Sequence, residues 1–126
     1  MKKLAQLTLV FSTLVSSFAF AEMTTEISVG DSKAKVTLVN ESSTPIQASI
    51  TAPDGSVQSV TFTTLKFVDE EVDLIRVNEY TLSKPEAKEA SVKFEVEYSV
   101  RNTAFIQADC VVSFENTFID MVCEKK

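Results

Sequence analysis

The sequence predicts an all-β fold: a small antiparallel β-sandwich with an immunoglobulin-like outline and about seven to eight strands. A small antiparallel β-barrel is the alternative architecture. Three observations lead there. The dominant hydrophobic period is two, turn signals recur at short intervals, and the strand-like runs are rich in Val, Ile, Thr and Phe, which suit a pleated, half-buried surface.

The first residues, MKKLAQLTLVFSTLVSSFAFA, stand apart from that pattern. Lys2 and Lys3 precede an apolar run from Leu7 to Val15, and Ala19-Phe20-Ala21 has the small-x-small form that signal peptidase accepts. Residues 1–21 therefore read as a secretory signal peptide cleaved after Ala21, which places the mature chain in the periplasm or outside the cell. Ser12, Thr13, Ser16 and Ser17 interrupt the stretch, so its apolar core is too short to span a bilayer, and no stable membrane insertion is expected after cleavage. Cleavage leaves 105 of 126 residues, starting at Glu22, enough for one domain over 22–126. Losing Lys2 and Lys3 moves the formal net charge from −6 to −8. Such a chain repels phosphate backbones and anionic lipids, which argues against nucleic acid and for a protein partner, a basic one by preference.

Within the mature chain, Gly30-Asp31 separates TTEISV from SKAKVTLV, and a glycine-first pair fits a type II′ hairpin. Ala34, Val36 and Leu38 alternate with lysine and threonine, and Ile46, Ala48 and Ile50 alternate with Gln47, Ser49 and Thr51. Pro53-Asp54-Gly55 then marks a turn, proline presetting φ and glycine closing it. From Thr61 to Leu82 the parity breaks: Val60 and Phe62 are even, Leu65 and Phe67 odd. Leu65, Val68, Val72, Ile75 and Leu82 approach helical spacing, but Glu79 falls on that stripe and Thr63, Thr64, Val68, Val72, Ile75 and Val77 are poor helix formers. Two strands joined around Asp69-Glu70-Glu71 are expected, with a helix as the alternative.

Ser83-Lys84-Pro85-Glu86 has the spacing of a capping box with proline in the first turn, which Ala87 to Ala90 would extend into a short helical turn. Leu82 to Glu86, ahead of an alternating strand, resembles the connection before the sixth strand of immunoglobulin variable domains. The two cysteines do not occupy that family's positions. Val92 to Val100 is the clearest strand, with every even position apolar, and Ile106, Ala108, Cys110, Val112 and Phe114 share the next inner face. A three-residue loop, Arg101-Asn102-Thr103, would pair Val100 with Ala104 and Tyr98 with Ile106, keeping both apolar sets on one side.

The only cysteines are Cys110 and Cys123. A two-residue turn at Asn116-Thr117 pairs Glu115 with Phe118, Phe114 with Ile119 and, further along, Cys110 with Cys123 at a non-hydrogen-bonded position, where strands approach most closely. A disulfide is expected, since zinc needs more ligands and a dithiol catalyst normally shows Cys-x-x-Cys.

No histidine is present, which removes the commonest general base and any Ser-His-Asp or Cys-His site. No phosphate loop or dinucleotide fingerprint occurs, so neither catalysis nor a cofactor is expected. Asp69, Glu70, Glu71 and Asp73 form the densest acidic group. They lack the glycine and spacing of a calcium loop and read as a solvated turn or an acidic partner contact. Phe105 and Phe118, with Val111 and Val122, fall on the face opposite the cysteines, as further core or as an apolar strip for a partner. The expected function is an exported, non-catalytic binding or accessory module that recognises another protein, as a monomer or weak dimer. A structural or self-assembling surface subunit and an inhibitor of a basic hydrolase are the alternatives.

Overall fold

The computed structural model describes residues 22–126 except Asn102; the expected signal peptide lies outside the described residues. Among the described residues ten strands run in chain order: β1 Glu22–Val29, β2 Ser32–Val39, β3 Ile46–Thr51, β4 Val57–Phe62, β5 Thr64–Lys66, β6 Glu71–Asp73, β7 Glu79–Lys88, β8 Ser91–Ser99, β9 Ile106–Glu115 and β10 Phe118–Lys125. They form antiparallel sheets ordered β1-β2-β3-β4, β10-β9-β8-β7 and β5-β6. The fold is all-β, as expected, and no sheet closes into a barrel. The count is ten rather than seven to eight. Strands adjacent in sequence pair with each other within each sheet, so the connectivity is two meanders joined by a hairpin.

The turn residues explain the hairpins. Gly30 takes φ 61° between the paired ends Val29 and Ser32, as a glycine-first turn requires. The amide of Gly55 donates to the Ala52 carbonyl (2.9 Å) with Gly55 at φ 93°, a conformation costly for any residue with a Cβ. Asn116, tolerant of the left-handed region, takes φ 58° between β9 and β10.

Register follows parity throughout the core. Ala34, Val36 and Leu38 of β2 and Ile46, Ala48 and Ile50 of β3 are buried in one cluster with Val92, Phe94, Val96 and Tyr98 of β8 and Ala108, Cys110, Val112 and Phe114 of β9. The parity break resolves as two short strands, without a helix. Thr63 separates β4 from β5, so inward positions change from even (Val60, Phe62) to odd (Leu65, Phe67), and the Phe67 amide bonds the Glu70 carbonyl (2.8 Å) to turn the chain into β6. Tyr98 pairs with Ile106 as expected, although the ladder stops there and Val100 does not join Ala104.

The capping box is a correction. Ser83 to Lys88 belongs to strand β7, and the register shifts between Ser83 and Glu86, with Lys84 at φ 55°. Pro85 has no N–H to give a ladder, and it sits in that bulge on an edge strand, where proline is tolerated. One isolated helical turn is unfavourable to nucleate, whereas pairing with β8 satisfies the backbone on one side. The segment's resemblance to an immunoglobulin connection ends there, since it is strand rather than crossover.

Cys110 and Cys123 are disulfide-bonded and directly paired, with Cα atoms 4.1 Å apart. The Lys126 amide bonds the Gln107 carbonyl (3.0 Å), so odd positions of β9 bond β10 and the cysteines occupy a non-hydrogen-bonded pair. The bond is consistent with an oxidising, exported location.

Candidate functional site

A sheet ends in strands whose outward N–H and C=O groups are unpaired, and a protein must guard those edges or use them. The two large sheets have four edges: β1, β4, β7 and β10. Three of them are guarded, each differently.

On β7, Leu82 turns its backbone outward, and the Asn40 side chain answers it like an added strand. Asn40 Oδ1 accepts from the Leu82 amide (2.7 Å), and Nδ2 donates to the Leu82 carbonyl (3.1 Å). Two residues back, the Tyr80 hydroxyl donates to the Ser42 carbonyl and accepts from the Ser42 amide, both at 3.2 Å. Pro85 and the bulge blunt the rest. On β10, the β5–β6 hairpin lies against the strand, Lys125 pairs with Glu70, and the Lys125 ammonium sits 5.4 Å from the Phe67 ring centre. That pairing raises the Lys125 pKa, the Glu70 hydrogen bond being the largest cause. On β1, the exposed side chains include Glu22 and Glu26.

β4 has no such device. Its sequence, VQSVTF, contains no charge, proline or glycine, and five of its six residues have side chains too short or too apolar to discourage a neighbour. Alternation shows which groups are open. The Ala52 amide bonds the Ser56 carbonyl (2.9 Å), so even positions of β4 bond β3, and Val57, Ser59 and Thr61 point their N–H and C=O groups outward. Among the described residues no side chain or loop bonds those groups. Val60 and Phe62 pack on the core but are only partly buried, along the inner lip of the edge. The nearest charge in sequence, Asp54, is occupied: it accepts from the Ser56 amide (2.9 Å) and hydroxyl (2.7 Å), and the amide bond leads in holding its carboxyl below the usual range.

The acidic group lies on the β5–β6 hairpin, partly neutralised. Glu70 faces Lys125, and Asp73 pairs with Arg76 (3.5 Å) while accepting from the Ile75 amide (3.0 Å). Phe105 precedes β9 at the same end of the sheet as Lys125, while Phe118 opens β10 at the far end, roughly 23 Å from Lys125 along the strand at the usual rise per residue. The six expected contacts therefore do not converge on one surface. The face carrying the two phenylalanines is uncovered: Phe118 is 65% exposed, Phe105 50% and Val122 51%. It is not a continuous apolar strip. Val111 and Val122 form one cross-strand pair, flanked by Ser113 with Asp120 on one side and Asp109 with Glu124 on the other. Lys126 bridges Glu95 (3.4 Å) and Asp109 (3.7 Å) on the same face, and Lys84 reaches Glu95 (3.5 Å). Burial of Glu95 opposes its ionisation, but Lys126 and Lys84 outweigh it and hold the carboxyl below the ordinary glutamate range.

An open groove of about 490 Å³ has an apolar floor of Leu74, Ile75, Val77 and Tyr80, with Glu41 and Glu79 in its lining. No group of residues suited to a metal ion occurs among the described residues.

Sequence reasoning passed over β4, although a signal existed. From Ser42 to Leu65 only Asp54 is charged, in a chain that is 24% charged. Comparisons with protein-family models, characterised proteins and solved structures return no match. The fold and site thus define a class by geometry: among the described residues, a disulfide-bonded, two-meander β protein with an uncharged, uncapped strand edge.

Proposed function

We propose that the mature chain is an exported, non-catalytic module that recognises another protein by pairing with an extended segment of that partner along β4. The observation that carries this reading is the contrast among edges. β7 is capped by the Asn40 side chain, β10 is covered by a hairpin and β1 carries carboxylates, while β4 offers three outward backbone pairs and no charge. In strand addition the main-chain bonds supply affinity and pockets along the edge supply specificity, here the partly buried Val60 and Phe62. The net charge of −8 on the mature chain would steer basic partners toward it.

A photo-crosslinking residue placed at Ser59 in the exported protein, with mass spectrometry of the products, tests this. The expected result is a discrete partner captured from position 59 and not from an equivalent probe at Thr81 on the guarded β7. Capture from Thr81 or from the β5–β6 hairpin, with none from Ser59, would refute the assignment of the edge.

A further inference from the structure

We infer that two mature chains close each other's β4 edge in an antiparallel pair whose two-fold axis passes through Ser59, and that a partner's segment must displace one copy. The inference rests on the reading of β4 as the recognition edge and assigns its occupant when no partner is present.

The register argument is specific. Only Val57, Ser59 and Thr61 direct backbone groups outward. An antiparallel copy centred on Ser59 opposes Ser59 to its own equivalent and Val57 to Thr61 of the second copy, twice. All three outward residues then become hydrogen-bonded pairs, with about two bonds to each pair. A shift by one residue would oppose inner-face positions to outer-face ones, which the pleat forbids. A shift by two leaves at least one outward residue opposite the ends of β4.

The side chains permit the same arrangement. An isologous edge must tolerate itself, because each side chain meets a residue of an identical strand. β1, with Glu22 and Glu26, would set carboxylates near their own copies, a destabilising arrangement for cross-strand pairs. On β4 the outer row becomes Val57 with Thr61 and Ser59 with Ser59, all compatible, and the inner row sets Val60 beside Gln58 of the second copy. The inner lip at Val60 and Phe62 gains cover that this chain alone does not supply. Opposing this is the charge of −8 on each mature chain, so association is weak at low salt and strengthens as salt screens it.

Ser59→Cys gives the decisive test, since Cys110 and Cys123 are already bonded and the new thiol is the single free one. At a hydrogen-bonded pair the Cα atoms lie about 5.5 Å apart, within disulfide reach. In Val57→Cys or Thr61→Cys alone, each thiol is offset by four residues from its equivalent, roughly 13 Å along the strand. Mild oxidation of mature protein is expected to give a covalent dimer from S59C and from a mixture of V57C with T61C, and at least tenfold less from V57C or T61C alone. Sedimentation of the unmodified chain should show a reversible dimer that tightens between about 0.01 M and 0.15 M salt, and Ser59→Lys, with native circular dichroism, should be monomeric. Three results would overturn the inference: a monomer at every concentration and salt, equal crosslinking from all three single cysteines, or a dimer that survives S59K. A monomeric wild type that still captures a different protein from position 59 overturns the dimer and leaves the recognition reading standing. Absence of both removes both.

Discussion

Asn40→Ala is the sharpest probe of how the edges are guarded. The Asn40 carboxamide makes two hydrogen bonds to one backbone residue, accepting from the Leu82 amide and donating to its carbonyl in a partly buried setting. Leu82 itself is 1% exposed and pairs with Val96 at a position whose backbone faces away from β8. Alanine removes both partners at once. A buried backbone group left without a partner costs about 1–3 kcal/mol, and water reaching this site keeps each of the two near the low end, about 2 kcal/mol together. In urea, with a slope of about 2 kcal/mol per M for a domain of this size, the midpoint should fall by roughly 1 M. Asn40→Asp tests the donor arm. The carboxylate still accepts from the Leu82 amide, but it sets an unprotonated oxygen against the Leu82 carbonyl in place of the Nδ2 donor, so it should cost at least about as much as alanine. Urea unfolding followed by far-ultraviolet circular dichroism measures both variants. If N40A unfolds within about 0.5 kcal/mol of wild type, or if N40D is as stable as wild type, the clamp does not work as described.

Three further outcomes follow from the packing. Replacing both Cys110 and Cys123 with alanine opens a loop with a sequence separation of 13. The chain-entropy model gives a loss of about 3 kcal/mol, which calorimetry should register as a drop of roughly 10–20 °C; a loss below about 1 kcal/mol would mean that the hairpin persists in the unfolded chain. Tyr98 is buried with its hydroxyl unpartnered among the described residues, and burial pushes its pKa up, with Lys125 opposing and Glu70 adding to the shift. Tyr98→Phe should therefore leave stability unchanged or raise it by about 1 kcal/mol. Because the folded pKa is raised, Tyr98 ionises more readily in the unfolded chain, and its contribution is lost as pH rises above about 10. Thermal melts across that range should decline less steeply for the phenylalanine variant. Phe118→Ser, at a side chain 65% exposed, should change stability by no more than about 0.5 kcal/mol and leave self-association intact; a folding defect would place Phe118 in the core.

What could be read from the sequence, and what could not, divides along the range of the interactions. Alternation fixes side-chain faces locally, so Val92 to Tyr98, Ile106 to Phe114 and the cysteine register came out as expected. The parity change between Phe62 and Leu65 was likewise visible, because a break of one residue reverses every later position. Ser83 to Glu86 was misread because a bulge with Lys84 in the left-handed region leaves no periodic trace, and proline plus glutamate imitates a helix start. The edge site was hidden for a different reason. β3, IQASIT, and β4, VQSVTF, are equally free of charge, and only the strand order makes one central and the other terminal. Asn40 was hidden too, since its partner lies 42 residues away.

The neutrality of β4 has no source in folding. Val57, Ser59 and Thr61 point away from the core, and Ser59 is exposed, so a lysine there should cost no more than about 0.5 kcal/mol. The same lysine would supply the guard that the other edges possess and would break a short, uncharged, β-prone segment of the kind that promotes aggregation. A chain that caps β7 with the Asn40 side chain and covers β10 with a hairpin plainly tolerates such devices. Their omission at a single edge is accounted for if that edge is used in pairing. On this reasoning Ser59→Lys should yield a stable, more soluble chain that has lost both its dimer and its partner. A soluble S59K chain that keeps its partner would show that recognition lies elsewhere.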